Sequence, residues 1–159
     1  MCDCKCLCTN PKPLGMQSGT IPDSAVTASS FFRYDYKPYF ARLDKTGGTH
    51  CAWSPINTAM QGSWIQVNLR KMTTVTGMTT QGQCFDGGYA KSSSFSYSND
   101  GENWNIYYES GSMKIFQWSN SPSSTTHTFK THVIAQYIRV MPESWHRYPA
   151  LRLEFYGCY

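Results

Sequence analysis

"ALRLEFYGC" (residues 150–158) is the stretch that decides what kind of fold this chain adopts. Leu151, Leu153 and Phe155 alternate with Arg152 and Glu154, placing apolar side chains on one side and charges on the other. That period of two marks a half-buried β-strand. The same pattern recurs upstream. In "SWIQVNL" (63–69), Ile65, Val67 and Leu69 alternate with Gln66 and Asn68, and "TTVTGMTTQG" runs from Thr73 to a stop at Gly82. "SSFSYSNDGENW" (93–104) holds Phe95 and Tyr97 in register ahead of Asn99-Asp100-Gly101, a hairpin signal. "AQYIRVMP" (135–142) adds another strand, and "SNSPSSTTHT" (119–128) reads as a polar loop or weak edge strand. No segment of ten or more residues keeps a helical apolar period. Short strands between regular turn signals predict an all-β sandwich or barrel, a fold that gathers its loops at its ends.

The length of 159 residues fits one domain, and 40% hydrophobic against 15% charged residues excludes a disordered chain. Aromatic residues also make up 15%, with 11 tyrosines, which suits a recognition surface wet on one side. The net charge of +4 is spread over single Lys and Arg residues with no basic run, so no nucleic-acid partner is expected. No apolar run is long enough for a transmembrane segment. Met1 is followed by "CDCKCLC" rather than by a leader pattern, and the remaining cysteines are scattered outside any zinc spacing. The chain therefore reads as a mature secreted fragment, extracellular and associated with the cell surface. Cys2, Cys4, Cys6 and Cys8 alternate strictly without histidine, which favours disulfides over a zinc or copper site.

Catalytic patterns are missing from the sequence: there is no GxSxG, HExxH, GxGxxG or P-loop. His50, His127, His132 and His146 are not in ligand spacing, and the ten acidic residues are dispersed. A binding protein without enzymatic activity, cofactor or resident metal is expected. One window points to where binding occurs. In "SSFFRYDYKPYF" (29–40), Phe32, Tyr34 and Tyr36 alternate with Arg33, Asp35 and Lys37, a strand pattern that Pro38 interrupts.

In this order along the chain, "KPLGMQSGTIPDSAVTASSFF", "PYFARLD", "AWSP", "WIQVNL", "VTGMTTQG", "SFSYSNDGENW", "YIRVMPESW" and "ALRLEFYGC" resemble the discoidin, or coagulation factor V/VIII type C, domain family. The resemblance spans Cys8 to Cys158. It makes residues 8–159 one discoidin domain and residues 1–7 a Cys-rich N-terminal segment for oligomerisation. It implies an eight-stranded antiparallel β-sandwich of jelly-roll, galactose-binding-like type, with ligand loops projecting from one end. It also implies a disulfide between Cys8 and Cys158. The cysteine placement resembles that of retinoschisin-like members, which pairs Cys51 with Cys84. Cys2, Cys4 and Cys6 then remain as intermolecular disulfide candidates, so self-association by disulfides is expected.

The family resemblance places three loops at the ligand end, here residues 31–39, 47–50 and 83–89. On that placement residues 33–36 form an exposed tip, and Phe31 and Phe40 lie nearer the core. The ligand-binding residues implied are Arg33, Tyr34, Asp35, Tyr36, Lys37, His50, Phe85, Asp86, Tyr89 and Arg147. Lipid-binding members carry apolar tips above a basic base, whereas Asp35 and Asp86 would oppose insertion into an anionic surface. Rings interleaved with polar groups favour a cell-surface glycan of galactose type. Phosphatidylserine or another anionic phospholipid head group is the alternative, and a collagen-type matrix protein the third. Some relatives hold a structural calcium, which no Asp-rich loop here supports. Arg42 and Asp44 are expected to pair beneath the loops. Trp53, Trp64, Trp104 and Trp145 are expected in the core, and Trp118 is expected to be exposed.

Overall fold

The computed structural model describes residues 7–47, 51–85, 87–120 and 122–159. Its strands are β1 (Lys12–Pro13), β2 (Val26–Ala28), β3 (Ile65–Gln81), β4 (Tyr89–Ser98), β5 (Asn105–Ile106), β6 (Tyr108–Glu109), β7 (Ser112–Met113), β8 (Phe116–Gln117), β9 (Thr125–His146) and β10 (Arg152–Cys158). Eight of them join in one antiparallel hydrogen-bonded array, ordered β1-β10-β3-β9-β4-β5, with β2 on β3 and β8 on β4. β6 and β7 form a separate hairpin.

The array folds into two layers because β3 and β9 each serve both. The first residues of β3 pair with β2, and its later residues pair with β10. The last part of β9 pairs with β4, and its first part pairs with the second half of β3. The crossing lies at the register shift between Asn68 and Thr73. There Arg70 takes a left-handed φ of 70°, and Asn68 Oδ1 accepts from the Arg70 amide at 2.7 Å and from Gln136 Nε2 at 3.3 Å. A bulge of this kind bends a strand and strengthens its twist. Phe95 of one layer meets Phe129 at 5.0 Å and Phe155 of the other at 6.5 Å between ring centroids. Trp53, Met78, Phe116, Ile138, Leu151 and Leu153 complete a buried apolar interior. The protein is an antiparallel β-sandwich.

The strand reading of residues 150–158 holds, but its charged side is not solvated. Arg152 and Glu154 are both fully buried. Glu154 carboxylate oxygens accept from the amides of Gly15 (3.3 Å), Met16 (3.1 Å) and Gln17 (2.9 Å), anchoring the N-terminal turn. Alternation reports two faces; it does not report that loops will cover the polar one. Arg42 and Asp44 also differ from expectation. Arg42 pairs with Asp23 at 2.7 Å and donates to the Met16 and Ile21 carbonyls, while Asp44 accepts from the Gln17 and Gln81 side-chain amides.

Trp118 is partly buried, stacked on Phe116 at 5.8 Å with its indole N–H on Ser93 Oγ at 2.8 Å. Trp64, Trp104 and Trp145 lie outside the core, half-buried, the first two on either side of the Arg139 guanidinium at 3.9 and 4.0 Å. Cys8 is bonded to Cys158 and Cys51 to Cys84. Cys2, Cys4 and Cys6 lie outside the described residues.

Two carboxylates make the fold sensitive to acid. Amide and side-chain hydrogen bonds from Asn103, with the Glu102 amide and Ser98 hydroxyl, hold Asp100 well below the usual carboxylate range. Burial pushes Glu109 up, but hydrogen bonds from the Tyr107 hydroxyl, the Lys130 amide and Lys114 outweigh it and leave Glu109 lowered. A carboxylate with a depressed folded-state pKa stabilises fully above its unfolded pKa, and that contribution is lost as pH falls through the folded value. The urea midpoint is therefore expected to hold near neutrality and to fall below about pH 4. The Asp100→Asn/Glu109→Gln double variant should flatten that decline. A parent midpoint that stays level from neutrality down to the acid limit of the titration would contradict this.

Candidate functional site

The window at residues 29–40 is not a strand. Tyr34–Tyr36 and Pro38–Phe40 are single 3-10 turns, closed by the Tyr36 amide on Arg33 O at 2.8 Å and the Ala41 amide on Pro38 O at 3.0 Å. Pro38 supplies the fixed φ that starts the second turn. The loop is fastened at its base, where Trp53 Nε1 donates to Ser30 O at 2.9 Å and the Phe32 amide to Ser54 O at 2.9 Å. Phe31, Phe32 and Tyr34 are exposed, Tyr34 by 68%. Phe31 therefore departs from its expected place in the stem.

The charges of this loop are engaged locally. Arg33 Nε lies 3.4 Å from the Asp35 carboxylate, and its guanidinium lies 5.0 Å over the Phe32 ring. Lys37 Nζ sits 4.2 Å from the Tyr34 centroid. Such contacts between a cation and a ring face are electrostatically attractive.

Tyr36 was expected at the exposed tip but is only 8% exposed. Its hydroxyl accepts from Gln83 Nε2 at 2.9 Å, and its ring meets Tyr148 edge-on at 6.2 Å. The Tyr148 hydroxyl donates to Gln83 Oε1, which also accepts from the Gly88 amide at 3.3 Å. Burial, ahead of the opposing Gln83 hydrogen bond, pushes the Tyr36 phenol up. Gln83 thus joins three loops through one buried side chain. Gly88 permits the fit: a Cβ there would come 2.6 Å from the Tyr148 carbonyl oxygen.

Two further devices hold the ends of these loops. The Cys51–Cys84 disulfide ties the second loop to the third. Arg152, at the start of β10, donates to Gly82 O (2.7 Å), Lys45 O (2.8 Å) and Gln83 O (3.2 Å). The side chain that alternation places opposite the apolar face is the peg beneath the loop end.

Phe85 is exposed beside this network. Tyr89 is half-buried in β4 and stacks on His146 at 5.2 Å, which makes it a supporting side chain. Arg147 is exposed, with a left-handed φ of 60°, next to Tyr148. His50 and Asp86 lie outside the described residues. A cleft of about 160 Å³ opens between the first loop and residues 54–60, lined by Phe32, Tyr36, Pro55, Asn57, Met60 and Tyr148 with Ser54. Among the described residues no group of three His, Cys, Asp or Glu side chains converges to hold a metal ion. No described helix is long and apolar enough to cross a membrane.

Sequence reasoning placed Phe32 and Gln83 in the loops of this end without naming them among the ligand-binding residues, and it missed Tyr148 altogether. Phe32 was legible as a large ring beside Arg33, but no local signal shows that Gln83 and Tyr148 meet, because they are 65 positions apart.

A β-sandwich whose aromatic loops are cinched together at one end defines a class of binding domain. The chain belongs to the F5/8 type C domain family, whose profile matches residues 25–155. It is 37% identical to lactadherin of Rattus norvegicus over 92% of this chain and 36% of that protein. It is 40% identical to coagulation factor VIII of Canis lupus familiaris over 92% of this chain and 6% of that protein. The chain thus spans well under two thirds of the length of these relatives. Among solved structures, discoidin II of Dictyostelium discoideum superposes with a TM-score of 0.74 at 18% identity, covering 84% of this chain and 55% of that one. The family 32 CBM from C. perfringens NanJ, in complex with galactose, gives a TM-score of 0.65 at 16% identity, covering 93% and 100%.

Proposed function

We propose that this domain is an extracellular, non-enzymatic binding module whose loop end engages anionic phospholipid head groups at a membrane surface. The observation that carries this reading is the outward placement of Phe31, Phe32, Tyr34 and Phe85 on neighbouring loops. Of the two acidic residues that counted against lipid, Asp35 is matched by Arg33, and Asp86 lies outside the described residues. Lys37, Lys45 and Arg147 lie outside the ion pairs found among the described residues and serve head-group phosphates. The two disulfides support an oxidising, extracellular setting. A galactose-type glycan is the second reading. It is favoured by the cleft beside Phe32, where rings of Tyr36 and Tyr148 accompany the side-chain amide of Asn57.

Moving one large apolar side chain out of water contributes ~1.5–3 kcal/mol. Phe31→Asp/Phe32→Asp removes two such rings and adds two anionic charges, so partitioning is expected to fall by at least about 100-fold. Co-sedimentation with phosphatidylserine and phosphatidylcholine vesicles, each with and without excess galactose, measures this. Selective pelleting with phosphatidylserine, untouched by galactose and lost in the double variant, is the expected outcome. Equal binding of both lipids, or an unaffected variant, counts against the reading. Absence of pelleting together with retention on immobilised galactose establishes the glycan instead.

A further inference from the structure

A second apolar surface lies away from the loops. β10 leaves the loop end at Arg152 and reaches Cys158 six residues later, about 20 Å along an extended strand. Cys158 is bonded to Cys8 there, and next to them runs a groove of about 420 Å³, larger than the loop-end cleft. Leu7, Tyr97, Ile106, Tyr108, His132 and Ile134 line it. Leu7 is 77% exposed, Tyr108 55% and Ile134 49%. Ile106 and Tyr108 come from β5 and β6, and Ile134 pairs with Thr74, itself the partner of Cys158. These residues therefore share one surface with the Cys8–Cys158 bond. Among the described residues no Asp, Glu, Lys or Arg lines the groove.

We propose that this face is a contact surface between two copies of this chain, locked by disulfides between their N-terminal segments. Cys2, Cys4 and Cys6 directly precede Leu7, a wall of the groove, and the other four cysteines are already paired within the chain. Six residues reach at most about 20 Å, so a cross-link between two such segments keeps the two Leu7 residues within about 40 Å of each other. A tether of that length gives an effective concentration in the millimolar range, roughly, at which a weak apolar contact is populated. Copies that each carry a net charge of +4 repel in general, and an uncharged groove offers them a place to meet. A twofold arrangement uses the same patch on both partners. Each cross-link joins two thiols as a disulfide while an external disulfide such as oxidised glutathione accepts two electrons and two protons and leaves as two thiols. The two loop ends remain free, so one dimer presents two ligand surfaces.

The test is formation of covalent dimer by the full chain at low micromolar concentration in a glutathione redox buffer, read by non-reducing electrophoresis and sedimentation velocity. The parent is expected to form a disulfide-linked dimer. Ile134→Asp and, separately, Tyr108→Asp place facing carboxylates in the contact and should reduce its yield at least tenfold. Phe32→Asp at the loop end should leave it unchanged, which separates this proposal from the lipid reading. A parent that stays monomeric, as when residues 1–6 occupy the groove of their own chain, overturns the proposal. So does a yield within twofold of the parent in both face variants.

Discussion

Arg152→Met is expected to lower the unfolding free energy by about 3–5 kcal/mol, because it strips two buried carbonyls and one part-buried carbonyl of a charged donor. The guanidinium bonds Gly82, Gln83 and Lys45 at once, so the loss falls on the two loops that meet at the Cys51–Cys84 bond. Burial lowers the Arg152 pKa and nearby Asp44 raises it, yet an arginine stays charged at any pH of interest. Arg152→Lys should recover little, since an ammonium lacks the planar fork that spans three acceptors. Urea denaturation at neutral pH reads the change. Hydrogen exchange should show faster opening of residues 82–88 than of the β3–β9 ladder. A loss below about 1 kcal/mol would mean that water replaces the lost donors and that the loops are held by the disulfide alone.

The second large effect concerns the Cys8–Cys158 bond, which closes a loop of 150 residues. In the chain-entropy model, releasing a loop of that length costs about 5 kcal/mol through the unfolded state. The native strand contacts beneath it survive, because β1 still pairs with β10 and the Leu14 amide still donates to Phe155 O at 2.8 Å. Cys8→Ser/Cys158→Ser should therefore retain its circular dichroism spectrum while its thermal midpoint drops by about 10–20 °C. The Cys51–Cys84 bond spans 33 residues, so its removal should cost less, about 3.5–4 kcal/mol. Equal losses for the two pairs would place the stabilisation in native contacts rather than in chain entropy.

The strands that carry this fold were legible because their side-chain period is local. Ile65, Val67, Phe95, Ile138, Leu153 and Phe155 are all buried, as their alternation implied. The window at 29–40 carried the same alternation and formed 3-10 turns instead. A period of two fits any chain that presents rings and charges alternately, and it does not require a paired strand on either side. Tyr36 turned inward because Gln83 and Tyr148 were there to receive it, while Tyr34 stands exposed with Lys37 over its ring.

By itself the sequence determined an antiparallel sandwich, its family, and the end of the molecule where aromatic loops gather. These follow from nearest-neighbour periodicity and from motifs in a set order, both of which are written along the chain. Tertiary structure alone decided that Arg152 and Glu154 are buried anchors, that Arg42 pairs with Asp23 rather than Asp44, and that a groove lined among the described residues by no Asp, Glu, Lys or Arg lies beside Cys8. Each of these depends on which distant backbone carbonyls, amides and rings arrive next to a side chain. That arrival is a property of the packed layers, so a local pattern carries no record of it.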